Sequence, residues 1–224
     1  MNTYKGKTIW KRNLLVLRRS KAILWGMAGL IFVVFPLAFL PNFFKGELEE
    51  ARSGYLLMAH GLLLLGSLLP CLALLPSWLE ENSCELLHAA AKTKTPCLRE
   101  LFWIFRFYLV VITLPLTGAC LFLHMPLTEL FRELLELLFV LGVNYLLISL
   151  LRSALLGAMI IMLYTMFCLL ECRSTEMQVF CLLRPDLFCD EGFFRKEGVL
   201  LLLASFVCGI AGYWMEKHTA GINR

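Results

Sequence analysis

Charge is scarce in this sequence. Asp, Glu, Lys and Arg make up 17% of its 224 residues, against about 25% in soluble globular chains. Motifs that carry bond chemistry are missing as well. No GxxxxGK(S/T) run exists to cradle nucleotide phosphates, and HExxH, GxSxG and GxGxxG are all absent. The four histidines, His60, His88, His124 and His218, are scattered, so their spacing offers no zinc site. Glu80–Glu81 lacks the Arg that an intramembrane glutamate protease wants shortly after it; Glu85 stands there instead. No Asn-x-Ser/Thr glycosylation sequon occurs. An enzyme is therefore not expected: the chain is short of catalytic groups, and nucleotide phosphates have no Walker loop to hold them.

Apolar residues are what the sequence has in excess. They account for 59% of the chain, and the mean hydropathy is +0.75. A soluble domain of this length cannot bury that much apolar surface. The reading is an all-α integral membrane protein. A spanning helix needs about 20 predominantly apolar residues. Six stretches are predicted to span: 22–44, 54–79, 102–124, 134–151, 153–170 and 198–215. Arg152 decides the count. As one helix, residues 137–170 would be about 51 Å long, too long for a hydrocarbon core of about 30 Å. Two spans joined by a tight turn at Arg152–Ser153 fit better. A five-span reading stays open and would move the C-terminus to the opposite side.

Orientation follows from Lys and Arg. Lys5, Lys7, Lys11, Arg12, Arg18, Arg19 and Lys21 precede the first span, and Lys92, Lys94, Arg99 and Arg106 follow the second. With Arg152, Lys217 and Arg224 they place fourteen of the 21 basic residues on one side. Lys45, Arg52, Arg132, Arg173, Arg184, Arg195 and Lys196 fall on the other. Both termini are expected in the cytoplasm and the chain in the plasma membrane. The first apolar run is too long for a signal peptide and no small-residue cleavage site follows it.

Outside the spans, residues 1–21 read as an interfacial helix. Trp10, Leu14 and Leu17 share one face and Lys11, Arg12, Arg18 and Arg19 the other, which suits contact with anionic lipid. A plain basic flank is the alternative. Residues 80–100 form the one sizeable cytoplasmic loop, with acidic residues at its start and Lys92 and Lys94 near its end, the order that complements a helix dipole. A docking helix and a solvated connector both fit it. The outer segment 171–197 is too apolar for a solvated loop, with Phe180, Leu187, Phe193 and Phe194 among others. Short re-entrant helices are expected there, forming an outer gate or merely a cap. Phe44–Ser53 reads as a solvated outer turn. Cys172, Cys181 and Cys189 lie on the outer face. One disulfide there and buried free thiols are both compatible with their spacing.

Ionisable groups deep in the bilayer, the mark of an ion path, read as nearly missing. Glu136 and Glu171 are placed at the outer boundary. Asn144, with Tyr145 beside it and Ser149 about one turn on, is the candidate for a translocation path. The plainer role of Asn144 is an interhelical hydrogen bond worth about 0.6 kcal/mol. This scarcity argues against an ion-coupled secondary transporter. Small residues at four-residue spacing, Ser153/Gly157, Ser205/Gly209 and Ala204/Cys208/Gly212, suit close helix packing.

The order of parts is a basic interfacial helix, two spans, an acidic cytoplasmic loop, a third span, a tight turn between spans four and five, and an apolar outer hairpin before span six. It resembles the membrane subunit of type-two ABC exporters. The loop residues that carry the likeness are Glu80, Glu81, Glu85, Leu86, Leu87, Pro96 and Arg99; Ser83–Cys84 stand where the family commonly has a small Gly-Thr element. The resemblance implies a permease with no catalytic residues, cofactor or metal of its own, forming a dimer with a second copy or a related permease. It further implies ABC ATPase subunits, holding ATP and Mg, docked on Glu80, Glu81, Glu85, Leu86, Leu87, Lys92 and Lys94. Membrane lipid is the other partner, and no nucleic acid is expected. A non-transport assembly or scaffolding subunit is the alternative.

Overall fold

The computed structural model describes residues 2–79, 95–171, 183 and 194–222. Among them there is helix and no strand. Helix α1 is Asn2–Arg19. A continuous helical stretch, α2, covers Lys21–Lys45, and a second, α3, covers Leu48–Leu74. They are followed by α4, Pro96–Phe122, α5, Thr128–Leu151, α6, Ala154–Glu171, and α7, Val199–Ile222. By length and composition α2, α3, α4, α5 and the stretch Lys196–His218 can each cross a membrane, and the apolar part of α6, Ala154–Leu170, is shorter. Large apolar side chains on these helices point outward, among them Trp25 (76% exposed), Leu114 (78%) and Phe206 (67%). Water would not tolerate so broad an apolar surface. This is an all-α protein built for a membrane.

Local chemistry explains where the helices stop. Gly46 takes the left-handed conformation (φ +82°) that closes α2, its N–H reaching the carbonyls of Asn42 and Phe43. Pro96 opens α4, where a missing N–H has no consequence. Arg152 ends α5 with φ +54° and a 2.8 Å bond from its N–H to the Ile148 carbonyl. Two residues later α6 begins, so the chain reverses within Arg152–Ser153.

Three helices begin about six residues before the apolar runs do, at Leu48, Pro96 and Thr128 rather than 54, 102 and 134. Charged residues mark the edges of the apolar runs, yet these are helical and have partners. The supposed outer turn Phe44–Ser53 shrinks to Gly46–Glu47, with Ala51 buried. Arg52 is tied to the Leu123 and His124 carbonyls at 3.1 and 3.3 Å. In the other direction α3 ends at Leu74, five residues short of 79, and a single helical turn, Pro76–Leu79, follows. The N-terminal helix also differs from its sequence reading. Asn13 and Leu17 are buried against the bundle while Leu14 is 40% exposed, because α1 packs on the last two turns of α3.

The hub is α5, which packs along α7 and also against α4, α6 and α3. Close approach of α5 and α7 depends on two glycines. A Cβ at Gly142 would lie 2.9 Å from the Ser205 carbonyl oxygen, and one at Gly212 would lie 2.7 Å from the Tyr145 ring. Of the small residues singled out in sequence, Gly157, Ser205 and Gly212 sit at such contacts, whereas Gly209 has open space around it. On the other side α2 and α3 form a hairpin. There Phe35, Phe39 and Tyr55 interlock with ring centroids 5.4–6.4 Å apart.

Glu80, Glu81, Glu85, Leu86, Leu87, Lys92 and Lys94, most of the segment 171–197, and Cys172, Cys181 and Cys189 lie outside the described residues.

Candidate functional site

On α5, Glu129, Arg132, Glu133 and Glu136 recur at the spacing of neighbours on one helical face. That face points inward. Glu129, Arg132 and Glu136 are fully buried and Glu133 is 3% exposed, while Phe131 on the same turn is 63% exposed. The helix is thus turned inside out relative to a helix in water, with ions toward protein and apolar groups toward lipid. Across from them His60, also fully buried, projects from α3. It lies within a π-helical turn, Met58–Leu63, a local widening frequent at functional sites. The turn ends at Leu63, whose carbonyl accepts the Tyr108 hydroxyl of α4.

The contacts are short. His60 Nδ1 is 2.7 Å from Glu136 Oε2 and 3.1 Å from Glu133 Oε1. Arg132 Nε donates to Glu136 Oε1 at 3.0 Å, and Arg132 Nη1 is 3.9 Å from Glu129 Oε2. Close by, the Tyr55 hydroxyl and Cys120 Sγ are 3.3 Å apart. Along the helix axes Glu136 is about 12 Å from the start of α5 and His60 about 18 Å from the start of α3. Both are fully buried on helices long and apolar enough to cross a hydrocarbon core of about 30 Å. Isolated charges at that depth are expensive, so they persist paired and mark ion or substrate pathways. Among the described residues, three carboxylates face one guanidinium and one imidazole. The cluster can take up protons or a cation.

The sequence reading sets Glu136 at the outer boundary and Arg132 on the outer face; in the fold both side chains, with Glu129, Glu133 and His60, are buried inside the bundle. The scattering of histidines along the chain also misleads, since His60 joins Glu133 and Glu136 in a group whose ligand atoms all lie within 4.8 Å of one another. One signal was in the sequence. Glu129-Leu-Phe-Arg132-Glu133-Leu-Leu-Glu136 puts every charge on one helical face with apolar residues between. Which way that face turns is a tertiary fact.

A second polar cluster closes the other end of the bundle, where α1, the start of α4 and the end of α7 meet. Glu100 is fully buried and takes Arg12 Nη2 at 2.6 Å and the Asn13 amide. The Arg12 and Arg99 guanidinium groups lie 4.9 and 5.6 Å from the Trp78 ring. Glu216 of α7 accepts the Cys97 N–H at 2.8 Å, the Leu98 N–H at 3.4 Å and the Tyr145 hydroxyl at 2.5 Å. It serves as the N-terminal cap that Thr95 does not provide.

The three residues singled out for a path in sequence do not face one way. Tyr145 turns to Glu216 and to Gly212 of α7. Asn144 is fully buried toward α6, where its Oδ1 would be 3.0 Å from a Cβ at Gly157, and its amide lies close to the Cys71 thiol. Ser149 is nearly buried, and among the described residues its hydroxyl meets no hydrogen-bond partner. Cys71, Cys97, Cys120, Cys168 and Cys208 are free thiols.

No protein-family model matches the chain, and no curated protein and no solved structure matches it.

Proposed function

We propose that the chain is the permease subunit of an ATP-driven exporter. It crosses the plasma membrane six times with both termini in the cytoplasm, α1 lying along the inner interface. It dimerises around a central path and does no bond chemistry itself. Partner ATPases bind ATP and Mg, and the segment 80–100 passes their closure to the bundle. The observation that carries a transport reading is the ionic cluster of His60, Glu129, Arg132, Glu133 and Glu136 inside an apolar bundle, since charge at that depth is retained where something charged or polar must pass or be sensed. The exporter assignment rests on the type-two resemblance. Two features of the fold are in keeping with it: the reversal at Arg152–Ser153, and the packing of α1 at the end of the bundle where α7 also finishes.

Affinity purification from native membranes tests the assignment. An ATPase subunit is expected to come down with the chain, and Glu81→Lys with Glu85→Lys is expected to release it. Retention by the double variant removes the docking role. A second reading, an assembly subunit without an ATPase, is favoured by the way Glu100 and Glu216 tie separate helices together. It predicts no ATPase in the eluate.

A further inference from the structure

We propose that His60, Glu133 and Glu136 form a binding site for one first-row divalent transition-metal ion inside the membrane. The donors come from two helices and converge. His60 Nδ1 lies 2.7 Å from Glu136 Oε2 and 3.1 Å from Glu133 Oε1, and the ligand atoms are all within 4.8 Å of one another. An ion with bonds of about 2.0–2.2 Å to nitrogen and oxygen holds neighbouring ligands about 3 Å apart, so little movement separates this arrangement from a coordination sphere.

Hydrogen bonding alone leaves the group unsatisfied. One imidazole nitrogen carries at most one proton, yet His60 Nδ1 faces two carboxylates. Glu133 Oε1, almost wholly buried and aimed at that nitrogen, accepts no hydrogen bond among the described residues. Charge points the same way: the two carboxylates meet an imidazole that carries at most one positive charge, all of them buried, and a divalent ion suits that excess. The orienting contact is also present. Arg132 Nε holds Glu136 Oε1 at 3.0 Å and leaves Oε2 turned to the site, the kind of outer hydrogen bond that fixes ligating carboxylates.

Ligand type narrows the ion. An imidazole with two carboxylates suits Mn²⁺, Fe²⁺, Co²⁺ or Zn²⁺; Mg²⁺ and Ca²⁺ prefer oxygen alone, and Cu⁺ prefers sulfur. The nearby Cys120 thiol is engaged with the Tyr55 hydroxyl at 3.3 Å. None of this needs an ATPase partner, so the site stands or falls apart from the exporter reading.

The test uses the full chain, stripped of metal and reconstituted in nanodiscs, titrated with Co²⁺ and followed by its visible absorption and by competition with Zn²⁺. One ion per chain is expected, with a spectrum of nitrogen and oxygen ligation. Glu133→Gln, which keeps the shape and lowers the charge, is expected to weaken binding by about tenfold or more, and Arg132→Lys by about 10–100-fold. Glu47→Gln, at the surface, is expected to leave it unchanged. Gel filtration and helical circular dichroism confirm that each variant is folded. Should Arg132→Lys fail that check, Glu133→Gln decides alone. The proposal is overturned if the wild type takes up no Co²⁺ at millimolar concentration, the result for a cluster neutralised by protons. Uptake that Glu133→Gln leaves unaltered overturns it equally.

Discussion

Arg132 and Glu133 are neighbours on one helix and are expected to respond to mutation in opposite directions. Glu136 sits between His60 and Arg132 and is paired on both oxygens. Glu133 shares His60 Nδ1 with it and adds charge that Arg132 alone does not cancel. In the metal-free protein, Arg132→Met takes the guanidinium from Glu136 and Glu129 inside the bundle and is expected to lower stability by about 3–5 kcal/mol. Glu133→Gln removes part of the excess and is expected to be neutral or stabilising. Unfolding by SDS titration in mixed micelles checks both. If Glu133→Gln destabilises as strongly as Arg132→Met, the charge imbalance is misread.

At the scale of the helices, the contact of α5 with α7 is governed by the absence of side chains. Gly142 and Gly212 face the Ser205 backbone and the Tyr145 ring across that seam, and the Ser205 hydroxyl donates to the Leu138 carbonyl at 2.9 Å. Gly142→Val must push α7 away or bend α5, and is expected to destabilise by about 1–3 kcal/mol. Gly209→Ala, in open space, is expected to have little effect, and the pair compared by the same titration tests the seam. The cap at Cys97 belongs to this scale too. Glu216→Ala strands two amide groups at the start of α4 and frees the Tyr145 hydroxyl. A loss of about 1–2 kcal/mol is expected, with faster hydrogen exchange at Cys97 and Leu98 than elsewhere in α4.

For the whole molecule, the open question is how many times the chain crosses. The turn at Arg152 and the short apolar stretch Ala154–Leu170 carry it. Six crossings return the end of α7 to the side of α1. A cysteine placed at Arg224 in an otherwise cysteine-free chain is then expected to react with a membrane-impermeant maleimide only after the cells are opened. Labelling of intact cells would leave five crossings and put the C-terminus on the outer side.

Membrane residence, the all-helical class and the reversal at Arg152 are legible along the chain, because they follow from run length and from single charges that lipid will not accept. The edges of α3, α4 and α5 are not legible in the same way. Arg52, Glu100 and Glu129 look like span limits until their partners on Leu123, Arg12 and Arg132 are seen. The candidate site lies entirely on that second side. A charged face on α5 reads identically whether it meets water or protein, and His60 is one polar residue in an apolar run. Only packing α5 against α3 set residues more than 70 positions apart within hydrogen-bond reach. In a medium without water, an ion's meaning depends on what stands opposite it.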